Sequence, residues 1–163
     1  MVPQFRSLGV VAGKFTVKVN RMHDLLHSIG VNATPEAVLK AISTSEGLSS
    51  WWTASSSASP TVGHVNVFRF GDTTAFHCRV DRHVDTGVHW TCIDAEKVPP
   101  EWVGTTLTFD LSAHDGGTRI DFAHRGWQRT DGDLPVCNTT WGELMHRLKD
   151  YVEGNPRGPL FAA

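Results

Sequence analysis

Apolar and polar residues alternate along much of this chain, and the alternation gives way to a helical period in two places. From His23 to Val31, Leu25, His27, Ile29 and Val31 fall on one face and Ser28 and Gly30 on the other, the period of a strand. Thr34-Pro35-Glu36 then predicts a helix start. Thr34 is placed to cap it, Pro35 suits the first helical position, and Glu36 favours the positive end of the helix dipole. Val38, Leu39 and Ile42 supply its apolar side. Residues 43–50, short and polar with one glycine, lead into Trp51-Trp52 and suggest a second short helix. Residues 53–61, rich in Ser, Ala and Thr, read as a loop.

Two hairpins follow. Val65–Phe70 and Phe76–Val84 flank Gly71-Asp72-Thr73-Thr74, and Val88–Ile93 returns after Asp85-Thr86-Gly87. Pairing Phe70 with Phe76 turns Asn66 and Phe68 towards the inside or the outside together with their even-numbered neighbours; Asn66 is read as inward. Pairing Val84 with Val88 puts Phe76, Cys78, Val80, Trp90 and Cys92 on one face, and Arg79, Asp81, His83 and His89 on the other. In that register His83 and His89 are cross-strand neighbours. Such alternation marks an antiparallel sheet with one wet face. After the Pro99-Pro100 break, Thr105–Ala113 and Thr118–His124 flank the turn His114-Asp115-Gly116-Gly117. Pairing Ala113 with Thr118 sets Leu111 opposite Ile120, Phe109 opposite Phe122, and Leu107 opposite His124. Thr106, Thr108, Asp110, Arg119 and Asp121 then face solvent. A slip of one residue would invert both sets, so the register is well specified.

Residues 125–137, which contain Trp127, read as a polar loop. From Asn138 to Glu153 the helical period returns: Trp141, Leu144, Met145, Leu148, Tyr151 and Val152 form one apolar stripe, with Gly154 placed to end it. Only this stripe and the inner sheet face are both long and apolar, so they are expected to cover each other. A sheet curving around one helix leaves room for a cavity between them. The ends are less constrained. Residues 1–21 read as an N-terminal extension, with Phe15, Val17 and Val19 alternating as an added edge strand or the segment simply preceding Met22. Residues 22–155 form the domain, and 156–163 a tail with Pro156 and Pro159 that has the length to dock on a second subunit, leaving monomer and homodimer both open.

Composition narrows the partners. The chain has 163 residues and a formal net charge of −2, from 15 basic against 17 acidic side chains, which argues against nucleic acid. No stretch approaches the length of a membrane span, and the start lacks a secretory signal, so a cytoplasmic setting is expected. Three cysteines do not make a disulfide framework. Six tryptophans against one tyrosine mean much rigid aromatic surface to bury, in a core or around a ligand.

Five segments together resemble a known family: Ile29–Val38, Leu48-Ser-Ser-Trp-Trp52, Gly104–Phe109, Gly117–Trp127 and Trp141–Tyr151. By their order and spacing the chain resembles the START-like superfamily, also called SRPBCC or helix-grip proteins. Within it, it is similar to the homologues of the activator of heat-shock-protein-90 ATPase. The resemblance implies an α+β fold, a curved antiparallel sheet wrapped around a long C-terminal helix with an internal cavity. It implies no single reaction, because such folds carry lipid and hormone carriers, polyketide cyclases and co-chaperones.

On this basis Trp51, Trp52, Asn66, Phe68, Phe70, Phe76, Trp90, Phe109, Phe122, His124, Trp141 and Met145 are the expected lining of a pocket for a small apolar or aromatic molecule. Plain core packing is the competing role for each of them. His27 and His124, polar groups on inward faces, are the candidates for orienting a ligand or for acid–base work in one shared pocket. Spacings for a metal site, a nucleophilic serine or a phosphate loop are absent, and no cofactor is expected. Binding without chemistry is the leading function. The alternatives are an enzyme of the cyclase, dehydratase or hydrolase kind using an inward histidine, and a co-chaperone-like interaction module.

Overall fold

The computed structural model describes residues 21–72, 74–97 and 100–162. The expected edge strand at Phe15–Val19 lies outside the described residues. Strand β1 (His23–Val31) leads into helices α1 (Pro35–Ser43) and α2 (Ser45–Trp51). Thr34 caps α1, its side chain accepting from the Ala37 N–H at 3.3 Å, and Thr44 caps α2 by accepting from Gly47 N–H at 3.0 Å. Thr34→Ala is expected to cost about 1 kcal/mol, read as a lower urea midpoint at unchanged slope.

Six strands follow: β2 (Ser55–Ser57), β3 (Val65–Phe70), β4 (Thr74–Val84), β5 (Gly87–Glu96), β6 (Thr106–His114) and β7 (Gly117–Trp127). A 3-10 turn, Pro100–Trp102, separates β5 from β6, and helix α3 (Leu134–Val152) ends the domain. The sheet order is β1-β7-β6-β5-β4-β3-β2, every neighbour antiparallel. It is a meander closed at one edge by the first strand. The sheet curves around α3, which packs on β1, α1 and α2. This is the α+β helix-grip architecture.

The β6–β7 register matches the expected one, with Phe109 opposite Phe122 and Ala113 opposite Thr118. Elsewhere the structure corrects the sequence reading. Phe70 pairs with Thr74 and Phe68 with Phe76, a shift of two that preserves which residues point inward. Val84 pairs with Gly87, not Val88, because the turn is the tight Asp85-Thr86. His83 therefore faces Val88 and His89 faces Arg82, so the two histidines are not cross-strand partners. Asp81 is then an extra residue, accepting from Arg79 Nε at 2.7 Å and from the Thr91 hydroxyl; this bulge restores the inward set of Val80, Trp90, Cys78 and Cys92. Thr108 is buried rather than solvated, because the Arg125 guanidinium lies over it and donates to its hydroxyl at 3.1 Å.

Two loops are shorter than expected. The 53–61 segment contains β2, whose all-serine sequence carries no strand signal; its backbone simply continues the sheet beside Val67–Arg69. Residues 125–137 are mostly ordered structure. β7 runs to Trp127 because Gly126, at φ +93°, forms a bulge opposite the His23/Asp24 step. The bulge shifts the alternation, so His124 and Trp127 are both buried three residues apart. Helix α3 starts at Leu134 rather than Asn138, with Pro135 in its first turn.

Candidate functional site

The inner sheet face, α2 and α3 meet in a continuous aromatic cluster. Trp52 packs on Phe68 at 4.3 Å between ring centroids and on Trp141 at 5.0 Å. Trp141 in turn packs on Phe122 at 4.2 Å, and Phe122 on Phe109 at 4.9 Å. At one end of this cluster an open cavity of about 320 Å³ remains. Its floor is Trp52, Trp141 and Leu144, and one wall is Phe76 stacked on Trp102 at 4.1 Å. Phe70 and Phe161 form another, edge-to-face at 4.9 Å. Val136, Cys137 and Thr140 of α3, together with Thr74 and Asp133, complete the rim.

Of the residues expected to line a pocket, the structure thus brings Trp52, Phe70, Phe76 and Trp141 to this cavity. It places Phe68, Trp90, Phe109, Phe122 and Met145 in the solid core behind it. Trp51 is also away from the cavity: its indole N–H donates to the Ala41 carbonyl at 3.0 Å, holding α2 against α1. Asn66 is fully buried and accepts from the Ser59 N–H at 3.1 Å, which pins the segment leading out of β2.

The two candidate histidines do not share a pocket, and neither lines the cavity. His27 lies between β1 and α3, near Phe122, with Asn138 as a side-chain partner. Burial lowers its pKa, and the Asn138 hydrogen bond opposes that shift. His124 is completely buried behind the cavity wall, among Trp102, Trp127 and Trp141. The Thr105 hydroxyl donates its proton to the Trp102 carbonyl at 2.6 Å. The contact of 2.8 Å between that hydroxyl and His124 Nε2 is therefore donated by the imidazole. Nδ1 is left unprotonated and without a partner. Desolvation drives the pKa of His124 down to about 3, so the ring is neutral at physiological pH. Cys137, the thiol at the rim, is pushed up to about 11 by burial, the reverse of what a nucleophile needs.

Sequence reasoning missed Trp102 and Phe161. Trp102 follows a proline break, where no periodicity points its side chain inward. Phe161 belongs to the tail, which docks on its own domain rather than reaching outward. Leu160 N–H donates to Trp51 O at 3.2 Å, Phe161 N–H to Trp52 O at 3.0 Å, and Ala54 N–H to Phe161 O at 2.9 Å. Arg157 ties the same tail to α3 through Asp150 at 2.6 Å and Glu143 at 3.1 Å. The tail is a strap that sets Phe161 into the cavity wall. Phe161→Ala is expected to cost only about 1–2 kcal/mol, since the ring is half-buried, while widening the mouth. Chemical denaturation reads the first effect; faster release of a bound apolar dye in stopped flow reads the second.

The sequence profile of the activator of Hsp90 ATPase homolog 1-like protein family matches residues 32–153. The chain belongs to this family. Among solved structures it is similar to the Aha1 dimer from Colwellia psychrerythraea, with 30% identity and a TM-score of 0.73 over 82% of this chain and 98% of that one. It is similar also to protein BH1534 from Bacillus halodurans, at 25% identity and a TM-score of 0.63 over 80% and 97%. DynU16, described as a putative protein in the dynemicin biosynthetic locus, shares the fold at 18% identity and a TM-score of 0.68 over 86% and 51%. No curated protein matches the chain. The strap lies beyond the residues that the activator-homologue profile matches. Among the described residues no helix is long and apolar enough to cross a membrane, and no group of three metal-ligating side chains forms.

Proposed function

We propose that this activator homologue binds a small apolar or aromatic molecule in the cavity between α3, Trp102 and the C-terminal strap, without transforming it. The observation that carries the reading is an open cavity of about 320 Å³ with six aromatic side chains among its twelve lining residues. Aromatic walls give area-dependent burial and ring contacts with little loss of side-chain freedom. A ligand the size of a naphthalene, burying roughly 250 Å² at roughly 25 cal/mol per Å², gains about 6 kcal/mol before ordering costs. That supports affinities no tighter than tens of micromolar for so small a ligand. Binding is favoured over chemistry because both candidate acid–base histidines lie off the cavity and the rim thiol is held protonated.

Native mass spectrometry of the freshly purified protein tests this. The expected result is a one-to-one small-molecule adduct, native or acquired after incubation with a panel of apolar aromatics, that is lost on denaturation. A mass that stays unliganded across the panel contradicts the reading. Family membership favours a second reading, an interaction module acting on a chaperone. Stimulation of Hsp90 ATPase activity by the purified chain supports it, and an unchanged rate removes it. The dimer seen for the Colwellia relative makes a homodimer the assembly to look for in the same mass spectrum.

A further inference from the structure

The charge of the cavity has a sign, and it bears on the ligand. The cavity lining holds no lysine, arginine or histidine. Its one acidic residue is Asp133, at the start of α3. That carboxylate is not consumed by the helix: Asp133 is the cap residue, yet its side chain makes no capping hydrogen bond. Its backbone N–H donates instead to the Glu101 carboxylate at 2.9 Å, which lines a neighbouring surface hollow together with Arg129. The Arg129 guanidinium is held by Asp131 at 3.0 Å and also attracts the Glu101 carboxylate. The positive end of α3 amounts to about half a charge. One full carboxylate at the cap, that of Asp133, outweighs it. Behind the rim stand the rings of Trp52, Trp102, Trp141, Phe76 and Phe161, whose quadrupoles attract cations and repel anions.

We infer that the ligand of this cavity is an aromatic or apolar cation, an organic ammonium whose body fills the aromatic walls and whose charge lies at the Asp133 end. This rests on the reading of the cavity as a ligand site and adds the ligand's class. A fatty-acid-like or aromatic carboxylate would meet no cation in the lining and the Asp133 carboxylate at the rim.

Three probes of one shape test it: naphthylmethylammonium, naphthylmethanol and naphthylacetate, titrated calorimetrically at low and at high salt. The ammonium is expected to bind about tenfold more tightly than the carboxylate, with the alcohol between them. The ratio should shrink as salt rises, because the rim is exposed. Asp133→Asn, a residue equally suited to a helix cap, should keep the fold and the alcohol's affinity while removing most of the ammonium's advantage. Equal binding of ammonium and carboxylate, or tighter carboxylate binding, overturns the inference and leaves the ligand site standing. An ammonium preference that survives Asp133→Asn overturns the role given to Asp133. Failure of all three probes to bind overturns the ligand site itself and the inference with it.

Discussion

Acidification from about pH 7 to about pH 4.5 is expected to remove about 2.5 kcal/mol of stability through His124 alone. The folded pKa of this residue is depressed to about 3, against an ordinary 6.5, by complete burial. In the unfolded chain the imidazole takes up a proton near its ordinary pKa; in the folded chain it does not until the pH approaches 3. The unfolded state therefore binds more protons throughout that window, and stability falls as pH falls. The contribution is fully present above the ordinary histidine pKa. His27, also lowered by burial, adds in the same direction. The carboxylates held below their usual range, such as Glu96 beside His77 and Arg69, lose their contribution only further down. The interval above about pH 4.5 thus isolates the histidines. Urea unfolding at pH 7, 6, 5 and 4.5 measures the slope. His124→Gln, which can still donate to Thr105, should flatten it. The NMR signals of the His124 ring should show no titration above pH 5 in the folded protein. A titration near the ordinary histidine value would show the ring to be hydrated and the packing around it wrong.

Trp52→Ala is expected to destabilise the fold by about 3–5 kcal/mol, the largest effect of any single replacement in the site. The indole is 1% exposed and packs on Phe68, Trp90, Phe70 and Trp141 at once. Its loss leaves a hole that opens into the cavity, so the penalty combines lost transfer energy with an unfilled space. The strap is unaffected in its backbone bonds, because those use the carbonyls of Trp51 and Trp52 rather than their rings. Trp52→Phe keeps most ring contacts and should cost less than half as much. In Trp52→Ala the enlarged cavity should accept bulkier aromatic probes than the natural protein does. A loss below about 1 kcal/mol in urea denaturation would mean the ring does not bridge α2, β3 and α3 as described.

The sheet and the long helix were legible because burial is written in periodicity. Phe109 opposite Phe122, and the Trp141–Leu148 stripe, follow from counting by two and by three or four. The hairpin at Phe70 is shifted by two residues and that at Val84 by one, with the Asp81 bulge adding the second, so the inward faces stay intact in both. The helix start was legible in principle: Leu134 and Cys137 continue the stripe back from Trp141, and both are partly buried. Gly126 was the obstacle in β7, since one bulged residue breaks the period and made Trp127 look like loop.

The site was harder to read than the fold. Aromatic residues on inward faces were easy to name, but the sequence does not separate a ring that borders a void from one packed on all sides. Trp52 and Trp51 are adjacent, yet one lines the cavity and the other holds two helices together. Trp102 and Phe161 enter through a short turn and a folded-back tail, elements whose direction is set by tertiary contacts alone. His27 and His124 share an inward sense but are held by different neighbours, one beside α3 and the other behind Trp102.

Everything proposed for this protein depends on the cavity at Trp52, Trp102 and Trp141 taking an aromatic ligand. The most direct measurement is a fluorescence titration with N-phenylnaphthylamine, on the natural protein and on Thr140→Trp, whose added indole would fill the cavity from α3. Saturable one-to-one binding to the natural protein and its loss in the filled variant are expected, with both proteins equally folded by circular dichroism. Unsaturable binding to the natural protein, or equal binding to the two, would contradict it.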